Sequence, residues 1–174
     1  MAAAAERLAN DHAKGGPGIP DMPLLARVYH LILAAFVRDG RAPHFTELAI
    51  RLGVGVEEAR RLQRETLAAL GGPHWVHPGT DLIVGFSPFS NLPTPYLVSV
   101  DGDQRWYGQC GVESLAVSWL FPGREVRVDA RCPDCAEPMT VRMRDGQVLE
   151  AAPGTIVGHV NVPPFAPIED WPFT

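Results

Sequence analysis

Three cysteines and one glutamate are the residues of this sequence best suited to chemistry. Cys110 and Glu113 lie in "WYGQCGVESL" (106–115), where strand-like residues run into a helical stretch. A cysteine at that entry meets the unpaired N–H groups and the positive dipole end of a helix, which favour a thiolate. Glu113, three residues on, falls on the same helix face one turn along. A soft sulfur nucleophile would then stand beside a carboxyl able to give or take a proton. The same spacing also suits a capping box around a small buried cysteine, and at this point both readings stand.

Cys132 and Cys135 form the C-x-x-C of "RCPDCAEPM". Before a hairpin, that spacing is half of a zinc-ribbon site or a redox pair, with both sulfurs on one side of the turn. A four-ligand zinc shell needs a second pair, and the soft partners left are Cys110, His74, His77 and His159. Zinc is therefore a metal this pair could take without depending on it. A buried cysteine beside a turn cysteine is the plain alternative. His74 and His77 flank Trp75 and read as loop or stacking residues, and His159 as a satisfied strand residue. A Gly-rich phosphate loop, a serine-nucleophile signature and carboxylates at glycosidase-like spacing are all missing, so the case for an enzyme rests on the cysteines.

The elements that must position these residues fall into an α+β arrangement of two parts. After an N-terminal arm (1–22), residues 23–90 read as a winged-helix unit of three helices. Its inward positions are Leu24, Val28, Leu31, Ile32, Ala35 and Phe36, then Leu48, Ala49 and Leu52, then Val56, Ala59, Leu62 and Leu70. The tight "GVG" gives the turn between the second and third helices, and "HWVHPGTDLIVGF" a strand pair for the wing. Arg60, Arg61 and Arg64 on the third helix are the residues that would touch phosphate. Glu57, Glu58 and Glu65 on the same helix oppose that reading and favour a structural or homodimer-forming unit.

"SPFSNLPTP" (87–95) reads as a Pro-rich linker. Residues 91–174 then predict a small mixed β-sheet with one prominent helix, about 111–120. Hairpins turn at Asp101–Asp103 and at Asp145-Gly146, "REVRVDA" alternates as a strand, and "TIVGHVNV" predicts another. Trp106 and Tyr107 are expected to line a cleft beside Cys110.

Composition bounds the rest. In 174 residues, 46% hydrophobic and 20% charged content describe an ordinary globular chain with room for a core. The apolar runs are too short to cross a bilayer and the start lacks a signal-peptide pattern, so the expectation is a cytoplasmic protein without membrane partners. A net charge of −5 speaks against binding nucleic acid through a general field.

The order of these features resembles the alkylmercury (organomercurial) lyases. "LLARVYHLILAAFVRDGRAPHFTELAIRLGV" is similar to that family's N-terminal winged-helix region. "YLVSVDGDQRWYGQCGVESL" resembles its hallmark segment, an acidic hairpin turn, a Tyr, the catalytic Cys and an acid three residues later. "CPDCAEPMTVRMRDGQVLE" resembles the segment with a structural Cys before a strand. The resemblance covers roughly residues 24–170.

It implies cleavage of a carbon–mercury bond with no organic cofactor, Hg(II) being the metal of substrate and product and a small organomercurial or soft metal the partner. Hg(II) is soft, and thiolates are the soft ligands of proteins. Cys110 would be the mercury-binding thiol, Glu113 the general acid that protonates the leaving carbon, and Cys132 the structural cysteine. Two departures bear on this. Glu113 stands where the family usually has Asp, and no cysteine follows Cys135, where the family places its second catalytic thiol. The expectation is either a chain shortened at its C-terminus or a member in which Cys135 substitutes. Soft-metal sequestration by Cys110, Cys132 and Cys135, a non-mercurial lyase or hydrolase reaction, and DNA-binding regulation are the other readings.

Overall fold

The computed structural model describes residues 23–70 and 73–158. The arm expected over 1–22, His159, and the residues beyond it lie outside the described part. The chain divides into two compact units, Met1–Phe86 and Ser87–Thr174. The division falls ahead of residue 90 because Phe89 and Ser90 form a strand that pairs within the second unit.

In the first unit, α1 (Leu24–Asp39), α2 (Phe45–Leu52) and α3 (Val56–Leu70) precede a short ribbon of β1 (His74–Val76) and β2 (Ile83–Phe86). The helix starts and stops are written locally. His44 caps α2 and Glu47 reaches back to its N–H, a reciprocal capping box. Arg41 holds Glu47 in two 2.8 Å hydrogen bonds. α3 packs on both α1 and α2, burying Val28, Ile32, Phe36, Leu48, Ala59, Leu62 and Leu67. Phe86 of β2 lies 5.3 Å from Tyr29 and 6.5 Å from Phe36, which ties the ribbon to α1.

Three expected core positions are instead exposed, Leu24, Val56 and Leu70. Each is the first or last residue of its helix, where the apolar stripe runs past the neighbour it packs on. Leu31 and Leu52 are half-buried, and Leu67 rather than Leu70 closes the core.

The guanidinium groups of α3 are engaged. Arg60 and Arg64 both bind Asp81, in the β1–β2 loop, and Arg61 binds Glu58 and Glu65. The two arginines hold the Asp81 carboxyl down at about 2.

The second unit contains β3 (Phe89–Ser90), β4 (Leu97–Val100), β5 (Asp103–Gly108), α4 (Gly111–Ala116) continued by a 3-10 turn (Val117–Leu120), β6 (Val126–Arg131), β7 (Pro138–Arg144) and β8 (Gln147–Ala152). Their order is β3-β5-β4-β6-β7-β8. All of these pairings are antiparallel, where a mixed sheet was expected. Tight turns such as those at 101–102 and 145–146 can join only antiparallel neighbours. Both hairpins turn where the sequence predicts, on Asp-Gly pairs with φ of 49° and 86° at Asp101-Gly102 and 51° and 78° at Asp145-Gly146. Val98, Val100, Val126 and Val128 line the buried face with Val117 and Phe121. The strand expected over "TIVGHVNV" is not formed at residues 155–158, which are turn and irregular backbone, and the rest of it is outside the described part. Among the described residues no helix is long and apolar enough to cross a membrane.

Candidate active site

Cys110 is placed by the junction of β5 and α4. The strand ends at Gly108, the Gln109 N–H donates to the Pro88 carbonyl at 3.1 Å, and Cys110 keeps extended backbone as the N-cap of α4. Its sulfur accepts from the Glu113 N–H at 3.5 Å, the weak capping bond that sulfur allows. Its carbonyl accepts from both the N–H and the hydroxyl of Ser114, at 2.9 and 2.6 Å. Ser114 is fully buried and lies against Gly108 so closely that a Cβ there would meet its Oγ at 2.0 Å. Glycine at 108 is what lets α4 fold back onto its own strand. Thr94 completes the junction by donating to the Gly108 carbonyl at 2.6 Å.

Two side chains from the preceding segments close around the thiol. The Tyr96 ring packs on Gly111, 3.4 Å from where a Cβ would stand. The Ser87 hydroxyl and the Cys110 thiol are both near enough to the Glu113 carboxyl to favour its charged form. Thiol and carboxyl thus share one end of a short helix, the sulfur at its cap and the acid in its first turn.

The electrostatics reverse the expectation of a thiolate. Burial pushes the Cys110 thiol up; the Glu113 N–H opposes this, and the Glu113 charge raises it further. One capping N–H from a six-residue helix does not outweigh half-burial beside a carboxylate. Burial also pushes the Glu113 carboxyl up, opposed by the nearby Ser87 hydroxyl and Cys110 thiol. Burial, then the nearby sulfur charge, raises Tyr96. None of the groups that perturb Cys110 or Glu113 is a cation. Burial therefore favours the protonated form of both groups.

Of the aromatic pair expected beside Cys110, Trp106 is instead buried, edge-on to Phe121 at 5.1 Å. Neighbouring strand residues point to opposite faces, so Trp106 and Tyr107 do not share one side. Cys132 and Cys135 lie in the β6–β7 turn, and all three cysteines are free thiols. The N–H groups of Cys135 and Asp134 pull the Cys132 thiol down. Among the described residues no three His, Cys, Asp or Glu side chains gather as a metal cluster, so the structure does not join this pair to Cys110. His74, in β1, is pushed down by burial, and the His77 ring contacts the Pro78 carbonyl at 3.2 Å. Sequence reasoning missed Ser87, Tyr96, Gly108 and Ser114. The glycine two residues before the cysteine is the one local sign of a close approach.

An α+β protein whose second unit presents a half-buried thiol–carboxyl pair at a strand-to-helix junction is the class defined here. Residues 89–168 match the family model of MerB, alkylmercury lyase. That part of the chain is alkylmercury-lyase-like, and the family's activity is that of a carbon–mercury lyase. No curated protein matches the chain. Among solved structures, the mercury-bound form of MerB2 has the same overall fold, with a TM-score of 0.54 at 18% identity, over 89% of this chain and 69% of that one.

Proposed function

We propose that Cys110 and Glu113 break a carbon–mercury bond by protonolysis. The observation that carries this is the placement of the Cys110 sulfur at the cap of α4, where it accepts the Glu113 N–H at 3.5 Å, with the half-buried Glu113 side chain in the first turn beside it. As the sulfur binds the mercury of R–Hg⁺, its proton passes to Glu113. The resulting carboxylic acid then protonates the carbon, R–H leaves, and mercury stays on sulfur as Cys110–S–Hg⁺ with Glu113 again ionised. Burial raises the proton affinity of both groups, which suits a carboxyl that must carry a proton near neutral pH. A further thiolate, from solution or from the chain, completes the two-coordinate shell that Hg(II) prefers.

The test is benzene released from phenylmercury acetate in excess thiol. Cys110→Ser should abolish it, and turnover unaffected by that change would rule the mechanism out. Stoichiometric Hg(II) binding without hydrocarbon would instead identify sequestration.

The first unit we read as a structural winged helix. Three helices followed by an antiparallel ribbon support that reading, and the engagement of Arg60, Arg61 and Arg64 by carboxylates weighs against a phosphate-binding face. Salt-dependent retardation of duplex DNA, lost on charge reversal of Arg60 and Arg61, would overturn it. Free thiols fit a reducing compartment such as the cytoplasm.

A further inference from the structure

The β6–β7 turn holds two thiols that the proposed reaction does not use, and its construction is specific. The ladder closes at Arg131 opposite Pro138. Beyond it the Cys132 N–H donates to the Glu137 carbonyl, and the Ala136 N–H donates back to the Cys132 carbonyl, each at 2.9 Å. Pro133 fixes the backbone after the first cysteine, and Ala136, at φ 60°, turns the chain back into β7. The two Cys132 backbone bonds close a tight turn that holds both thiols, Cys132 half-buried and Cys135 exposed.

We propose that Cys132 and Cys135 form a second soft-metal site, a chelating dithiolate for a two-coordinate cation such as Hg(II). The donor count selects the ion. Zinc takes four ligands, and among the described residues no third His, Cys, Asp or Glu stands with the pair. Hg(II) is satisfied by two thiolates, and soft thiolates prefer it to hard cations. Binding exchanges two S–H bonds for two S–Hg bonds and releases two protons, with no change of oxidation state.

The sheet register adds a spatial reason. Leu97 faces Tyr107 on one side and Asp129 on the other, so the entry to α4 and the exit of β6 lie at the same end of the sheet. Strands β5 and β6 are two spacings apart there, about 10 Å. The pair is placed to take over Hg(II) left on Cys110. That transfer rests on the lyase reading, and the binding does not.

The experiment uses the full chain carrying Cys110→Ala, titrated with mercuric chloride against excess monothiol. Thiolate–mercury ultraviolet absorbance and native mass spectrometry are the readouts. One mercury per single chain is expected. Adding Cys132→Ser or Cys135→Ser should weaken retention by about 10²–10⁴-fold, the usual gain from linking two ligands. Unchanged circular dichroism in those variants excludes unfolding as the cause. Equal retention in either serine variant, one mercury shared by two chains, no retention by the reduced Cys110→Ala chain, or zinc held as tightly by the same pair would each overturn the proposal. Failure of the lyase reading looks different, with no benzene from the unaltered chain while mercury still binds Cys132 and Cys135.

Discussion

The Cys110 sulfur accepts the Glu113 N–H at 3.5 Å, which sets thiol and carboxyl at the same end of α4. The pair forms because a strand ending in Gly108 reverses directly into a helix, with Ser114 filling the space above the glycine. Burial raises the proton affinity of both partners, and the Glu113 charge raises that of the thiol further.

That dependence predicts an alkylation profile. Cys110 should react with iodoacetamide with a midpoint above that of an ordinary cysteine. Glu113→Gln removes the negative charge that helps raise it, so the midpoint should fall. An unchanged or higher midpoint in Glu113→Gln would break the link. Stability has a matching sign. Glu113 has a raised pKa in the folded chain, so its stabilising effect is complete below the ordinary glutamate pKa and fades as pH rises through the folded value. Glu113→Gln should therefore gain stability relative to the unaltered chain as pH rises through that window, measured by urea unfolding.

The Asp81 clamp has the opposite sign. Its carboxyl is held at about 2 by Arg64 and Arg60, so its stabilising effect is present above the ordinary aspartate pKa and lost as pH falls from about 4 to about 2. Asp81→Asn should lower stability at pH 7 by about 1–2 kcal/mol, since Arg64 is largely exposed and its pairing is screened. The deficit should disappear at acid pH. A deficit that persists at pH 2 would mean the loss is packing rather than charge.

Packing in the first unit is tested at Leu48, which is fully buried. Leu48→Ala should cost about 2–5 kcal/mol. Leu70→Ala, at an exposed helix end, should cost far less, and equal losses in denaturant midpoint would contradict the burial pattern.

What could be read from the sequence follows from how local each cause is. The Asp-Gly turns were legible because two successive positive φ values demand those residues. The Cys110 cap and the Glu113 spacing were legible because helical geometry is fixed within four residues. Trp106 and Tyr107 could have been separated by strand alternation alone. The raised thiol could not be foreseen, because the burial that causes it comes from tertiary packing. Ser87 and Tyr96 reach the site from more than ten residues away along the chain, and no spacing rule announces them. Leu70 was misplaced because periodicity continues past the point where a neighbouring helix ends.

Gly108→Ala should damage the site without touching its chemical groups. The added Cβ meets Ser114 Oγ at 2.0 Å and Ser114 Cβ at 2.8 Å, so α4 must shift. Overpacking of this kind costs about 1–3 kcal/mol. Phenylmercury cleavage should fall with it, and adding Ser114→Ala should restore part of both, because only the closer of the two contacts is relieved. A Gly108→Ala chain with unaltered unfolding midpoint and turnover would refute the close approach.

The length of the acid gives the sharpest test of the proposed reaction. The Glu113 carboxyl lies near the Cys110 thiol and the Ser87 hydroxyl, and a side chain one methylene shorter draws it back towards the helix from the same backbone position. Glu113→Asp should therefore keep mercurial binding and lose turnover by about a hundredfold, since displacements near one ångström carry such costs. Ser87→Ala should lose less, because it frees the carboxyl without removing it. Glu113→Gln should bind phenylmercury through Cys110 and release no benzene, because the proton donor alone is gone. Measured by benzene in the gas phase against mercury bound, the order should be unaltered, Ser87→Ala, Glu113→Asp, Glu113→Gln. Faster release from Glu113→Asp than from the unaltered chain would show that the longer side chain hinders the reaction, and would overturn the assignment of Glu113 as a well-placed acid.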